Sequence, residues 1–183
     1  SLLNLVSGKR EILKITWSST ESKRGDVACP APDIEAFSPN GVDLVTLDDG
    51  PLQLLVVNHG GRESIEFFEP KQSEGVWSLD WQGCALPPDD PFINDVAGLH
   101  DGGFLITHMW DKTTAFDEVA RKLLAGESTG WVYEWQPDEG FTKVPGSDDL
   151  MPNGIAVSHD NTKLFVNIYF GGKTIKIDRA TAL

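Results

Sequence analysis

Three asparagines, each opening an apolar segment, are the best-placed hard oxygen donors in this chain. They stand in Asn40-Gly41-Val42, Asn94-Asp95-Val96 and Asn153-Gly154-Ile155. Each is followed by a turn and a second apolar segment, Leu54 to His59, Phe104 to His108 and Leu164 to Asn167. Amide carbonyls with one or two carboxylates suit calcium, which takes roughly six to eight oxygens and tolerates irregular geometry. Zinc would ask for more His or Cys. A cation of that kind polarises an ester or lactone carbonyl and stabilises its oxyanion. A nearby histidine, His59 or His108, is the side-chain type that activates water. An Asn before a strand also forms Asx turns, bonding only its own backbone. Three in register, with histidines at two of the paired ends, tip the reading towards a shared site.

What must position these residues is a set of short strands. Segments rich in Val, Ile, Leu and aromatics, bounded by Gly, Pro, Asp or Asn, read as strands. They fall at 12–17, 42–47, 53–58, 64–69, 76–80, 94–99, 103–108, 130–135, 141–144, 154–158, 163–168 and 173–178. His100-Asp101-Gly102-Gly103 and Ser158-His159-Asp160-Asn161 read as hairpin turns, with both histidines solvated. Paired antiparallel strands set the start of the first beside the end of the second. Asn40 then meets Asn58-His59, Asn94 meets His108, and Asn153 meets Asn167. One helix is expected over 115–125, where Phe116, Val119, Ala120, Leu123 and Leu124 make an apolar stripe before Gly126. It is read as a cover over the sheets and the wall of a pocket, to which Trp110 could add.

The repeat starts lie 54 and then 59 residues apart. Each unit holds two paired strands and one or two more, the form of a four-stranded β-propeller blade. A sandwich comes second, because it does not predict the recurring Asn start. The whole chain, 1–183, reads as a single all-β domain with units of about 1–36, 37–80, 92–144 and 150–183.

Composition narrows the partners. The net charge of −13 disfavours nucleic acid and anionic membranes and favours cations or neutral substrates. No apolar run reaches the roughly 20 residues of a membrane span. Asp48-Asp49, Asp89-Asp90 and Asp148-Asp149 adjoin Gly or Pro and read as turns. Cys29 and Cys84 fit no metal spacing; two free, partly buried thiols are the preferred reading, and a single disulfide the alternative in an oxidising compartment. The compartment stays open, with secretion allowed if a signal precedes residue 1.

These residues resemble the paraoxonase/arylesterase family, within the wider group of gluconolactonase- and strictosidine-synthase-like propellers, the six-bladed calcium-dependent phosphotriesterase type. The resemblance runs from about Asp33 to Arg179. It is carried by Phe37-Ser38-Pro39-Asn40-Gly41-Val42, Leu54 to His59, Phe92-Ile93-Asn94-Asp95-Val96-Ala97 and Pro152 to Ser158, with Gly130-Trp131-Val132-Tyr133 after the helix. It implies a calcium-dependent hydrolase of lactones or aryl esters. Asn94 and Asn153 match ligands of the family's catalytic calcium. Asp95 and the backbone carbonyl of Val42 match ligands of its structural calcium. His59 matches one member of the proposed basic histidine pair, and His108 a pocket histidine. Asn40 stands where the family carries the other histidine, so that dyad is absent, and phosphotriester activity is the least safe inheritance. Six blades need about 300 residues. The expectation is therefore three to four blades of a longer protein, with open sheet edges that invite self-association. The rivals are a non-catalytic propeller binding a ligand or protein partner on the same face, and a sugar-lactone hydrolase using another metal.

Overall fold

The computed structural model describes residues 1–17 and 24–179. Strands dominate, and the described residues contain one helix. β1 (Leu2–Leu3) and β2 (Arg10–Glu11) pair as a small ribbon, and β3 (Lys14–Thr16) and β4 (Arg24–Gly25) follow. The first large sheet is β5 (Pro39–Thr46), β6 (Leu52–Asn58), β7 (Ser64–Ser73) and β8 (Val76–Ala85), each antiparallel to the next. β3 and β4 add to β8 in parallel. The second sheet is β9 (Pro91–Gly98), β10 (Phe104–Asp111), β11 (Trp131–Gln136) and β12 (Gly140–Lys143), with α1 (Phe116–Leu124) between β10 and β11. The third is β13 (Pro152–Val157), β14 (Lys163–Ile168) and β15 (Lys173–Asp178). The chain is thus all-β with one inserted helix, as expected.

The three sheets stack because the middle one is apolar on both faces. Phe104 and Ile106 of β10 pack towards Leu55, Val57, Ile65 and Phe67 of the first sheet. Leu105 lies in a second cluster with Ile155, Leu164, Val166 and Ile168 of the third. Successive side chains on a strand point to opposite faces, so a strand buried on both sides reads as a continuous apolar run. A two-layer sandwich does not describe this arrangement. Helix α1 turns Val119 and Leu123 onto Met109 and Met151, the covering role its stripe predicts.

The expected strands are all present, several of them longer. β7 and β8 extend past the apolar alternation because Glu74 and Gly75, at φ 50° and 80°, make a tight turn that lets pairing continue to Ser73–Val76. The expected 12–17 strand shrinks to β3, and β1, β2 and β4 are too short to leave a periodic signal.

Two expectations are corrected. Cys29 and Cys84 are joined by a disulfide, with Cα atoms 5.6 Å apart. Spacing along the chain could not show this; what brings them together is β4 running beside β8, which carries Cys84. His100 is not merely solvated. Its Nδ1 lies 2.8 Å from the Thr46 carbonyl and its Nε2 3.3 Å from that of His159, tying together the turns of all three sheets. Donating to both oxygens requires both ring nitrogens protonated. The Thr46 carbonyl accordingly holds the His100 pKa above its ordinary value.

The disulfide spans 55 residues, and closing such a loop removes about 4 kcal/mol of unfolded-chain entropy on the loop-closure account. Thermal unfolding with and without reductant should show a fall in midpoint for the native chain and none for Cys29→Ser/Cys84→Ser. His100 gives a second test. A raised folded pKa stabilises fully below the unfolded value of 6.5 and loses that contribution as pH rises through the folded value. Stability should decline from pH 6 upward more steeply in the native chain than in His100→Gln.

Candidate functional site

The three asparagine repeats meet at Asp95. Strand β9 lies between β5 and β13, so Asp95 faces both Asn-Gly turns. A side chain placed on Gly41 would come within 2.5 Å of Asp95 Oδ1 and 2.7 Å of the Asn94 carbonyl oxygen. One on Gly154 would come within 3.0 Å of Asn167 Nδ2 and 3.7 Å of Asp95 Oδ2. Both turns carry glycine because backbone approaches the carboxylate here. Asp95 Oδ2 accepts the Ile155 N–H at 3.0 Å. The Asp95 N–H donates to Thr107 Oγ1 at 3.1 Å, and that hydroxyl donates to the Asn153 carbonyl at 2.5 Å. One carboxylate and one hydroxyl therefore lock the second repeat to the third.

Asp95 carries a charge that the protein does not compensate. Burial raises its pKa, the Ile155 and Val96 amides pull it down, and Asp43 adds repulsion; the net shift is upward. The Asn94 and Asn153 side chains make no hydrogen bond to described residues. Both are half-buried, so neither behaves as the Asx turn that was the simpler reading. Val42 points its side chain outward, 57% exposed, which leaves only its backbone for the role expected of it. Asn167 accepts from Thr174 Oγ1 at 2.8 Å.

His59 lies in a separate but adjacent arrangement. Asn58, fully buried, builds the loop that holds it: its Oδ1 accepts from the Ser38 and Gly60 amides, and its Nδ2 donates to the Gly60 and Arg62 carbonyls and to Ser64 Oγ. That loop turns Glu63 back onto His59, whose Nδ1 lies 2.9 Å from Glu63 Oε2. With Nδ1 donating to Glu63, Nε2 is left as the acceptor, and it lies 3.1 Å from Asn40 Nδ2. Glu63 also pairs with Lys112 and accepts the Ile93 N–H at 3.3 Å. Burial would raise the Glu63 pKa, but the bonds and charges of His59 and Lys112 outweigh it, and the net shift is downward. The His59 ring stacks on Phe92 at 5.0 Å, Phe92 on Trp110 at 4.6 Å, and Phe116 of the helix meets Trp110 edge-on at 6.4 Å. The helix thus walls an aromatic surface beside His59.

His108 lies elsewhere. It is fully buried on β10 opposite Ile93, edge-on to Trp131 at 4.2 Å and stacked near Tyr133. Its Nε2 is 3.3 Å from Asp111 Oδ1 without hydrogen-bond alignment, and neither ring nitrogen has a hydrogen-bond partner. Burial lowers its pKa against the opposing pull of Asp111. The structure brings Asn40 to His59 and Asp95 to the Asn40 and Asn153 turns. His108, set against Trp131 and Tyr133, shares no hydrogen bond with His59, whose ring stacks on Phe92. Glu63 and Lys112 were missed by sequence reasoning. The available signal was the loop His59-Gly60-Gly61-Arg62-Glu63, whose two glycines let the carboxylate return to the ring.

Comparison with family models and with curated proteins finds no match to this chain. Among the described residues no group of three His, Cys, Asp or Glu side chains could hold a metal ion. The groups near Asp95 are one carboxylate, asparagine amides and backbone carbonyls. Oxygen donors of this type suit a hard cation and not zinc.

Opposite pH behaviour should separate the two carboxylates. Asp95 has a raised pKa, so its cost appears as pH climbs above 3.8 through its folded value. Glu63 has a lowered pKa, so its contribution is complete above 4.5 and is lost as pH falls through its folded value. In a chelator at pH 7, Asp95→Asn should raise the thermal midpoint, and adding calcium should raise that of the native chain alone. Glu63→Ala should cost about 2–4 kcal/mol, because it strands the half-buried His59 N–H, the buried Ile93 amide and the Lys112 ammonium. Urea unfolding at pH 7 measures it.

Proposed function

We propose that this chain is three to four blades of a β-propeller of the six-bladed calcium-dependent phosphotriesterase type, from a paraoxonase-like or gluconolactonase-like hydrolase of lactones or aryl esters. The sheets β5–β8 and β9–β12 have the four-stranded meander of a blade, and β13–β15 has three strands of one. The observation that carries the functional reading is the Glu63–His59 pair beside the asparagine cradle. A histidine whose Nδ1–H is held by a buried carboxylate keeps Nε2 as the unprotonated nitrogen, the tautomer a general base needs, and here Nε2 meets Asn40 Nδ2.

In this reading Asn94 and Asn153 hold the catalytic calcium, and Asp95 with the Val42 carbonyl a structural one. The bound cation would supply Lewis-acid polarisation of the substrate carbonyl. His59 takes the proton of the attacking water at Nε2, Glu63 steadies the imidazolium that forms, and Asn40 holds Nε2 until water takes its place. Glu63 thus supplies the charge partner missing with Asn40 in place of a second histidine. The stack of Phe92, Trp110 and Phe116 offers an apolar wall for an aryl or acyl group.

One observation favours a non-catalytic propeller that binds a ligand or partner on the same face. Asn40 Nδ2 already donates to His59 Nε2, so water must displace that bond before the base can act. Initial rates on an aliphatic lactone and on phenyl acetate, with calcium and with chelator, decide between them. Hydrolysis should require calcium, fall roughly a hundredfold or more in His59→Gln, and be lost in Asn153→Ala. A rate unchanged in Asn153→Ala removes the site. No turnover of either substrate with calcium present leaves the binding reading.

A further inference from the structure

The opposite ends of the strands hold a cavity that the asparagine site does not use. It lies where the β5–β6, β9–β10 and β11–β12 turns meet and measures about 720 Å³. Small-molecule pockets typically run from roughly 300 to 1,000 Å³. Its floor is apolar, formed by Phe67 and Trp135, whose ring centroids are 5.7 Å apart. Gln53, only 2% exposed, lines it. The Gln53 Oε1 is fixed by Arg24 Nη1 at 2.9 Å, and its Nε2 has no hydrogen-bond partner. A buried amide N–H₂ without an acceptor costs about 1–3 kcal/mol, so an oxygen reaching it would be rewarded. Asp48, Asp49 and Asp101 also line it, and so do the basic Arg24 and His100. The groups are therefore a fixed donor, an aromatic surface and a charged rim in which three carboxylates outnumber two basic side chains.

We propose that this cavity binds a small aromatic amine carrying an oxygen acceptor: the oxygen on Gln53 Nε2, the ring over Phe67 and Trp135, and the ammonium among Asp48, Asp49 and Asp101. A purely apolar ligand leaves the amide unmet, and an anion meets three carboxylates against the two bases Arg24 and His100. An ammonium group in a chain of net charge −13 is drawn there from a distance. The site is independent of the calcium and His59 chemistry, which lies at the other strand ends.

Tyramine has all three features, phenethylamine lacks the oxygen and N-acetyltyramine lacks the charge. Their affinities for the native chain, from calorimetry at low salt, test the proposal without any substitution. Tyramine should bind saturably, and removing either group should weaken binding roughly three- to tenfold, the worth of one hydrogen bond or one exposed ion contact. In Gln53→Leu the preference for tyramine over phenethylamine should vanish. In Asp49→Asn/Asp101→Asn, exposed positions that leave Gln53 untouched, the preference over N-acetyltyramine should shrink. Failure of tyramine to saturate in the millimolar range overturns the proposal. So does equal affinity for all three compounds, or an oxygen preference that survives in Gln53→Leu. If Gln53→Leu fails to fold, the three-compound comparison and the aspartate variant still decide.

Discussion

The constraint on which the molecule depends is that β9 and β10 are covered on both faces. A sheet in the middle of a stack turns neither face to water, so a polar side chain on it must find its partners across the interfaces. Asp95, in the middle of β9, lies against backbone from both neighbouring sheets. Its Oδ2 receives the Ile155 N–H across one interface, and its Oδ1 faces Gly41 across the other. Thr107, fully buried, closes the link to Asn153. The separation of the sheets, the glycines in two turns and the nearness of three distant asparagines follow from packing around one carboxylate.

The same packing explains why His59 is rigid. Its loop must cross from β6 to β7 over the edge of the middle sheet, and a loop there would bury unpaired backbone groups. Asn58 answers five of them or their neighbours with one amide. Behind it, Glu66, also fully buried, accepts from Ser64 Oγ at 2.6 Å and from Trp81 Nε1 at 2.8 Å. The Glu63 carboxylate therefore stands on a fixed base. Its bond to His59 Nδ1 comes from the loop's construction and not from a flexible surface contact.

Much of the fold was legible because strand alternation and turn chemistry are local. The strands from Pro39 onward, the helix stripe and the Asn-Gly starts all leave signals within ten residues. What could not be read depends on packing between segments far apart. The Cys29–Cys84 bond needs β4 beside β8, a parallel pairing of two-residue reach. The Glu63 role needs the loop to close on itself. His100 reads as a turn residue, and its two carbonyl partners, Thr46 and His159, are more than fifty residues away on either side. The asparagine convergence was legible only because it is repeated. Gly41 and Gly154 mark the same backbone approach, whereas Asp95, in the middle copy, supplies the carboxylate both approach.

Places where a sequence departs from comfortable local chemistry tend to be functional, because strain or unmet polarity there must be offset elsewhere. Among the described residues Arg62 Nε and Trp131 Nε1 are also buried without a hydrogen-bond partner, but three departures bear on the sites described above. Asp95 keeps a half-buried charge with no cationic side chain against it. His108 keeps two buried ring nitrogens without partners, and Gln53 one amide nitrogen. The first two lie inside β9 and β10, and the third near the start of β6. A fold stabilised by large apolar clusters can tolerate such groups, since the clusters do not depend on them. Packing and binding chemistry thus share the same strands: between the apolar side chains stand a few polar ones whose partners the chain itself does not supply.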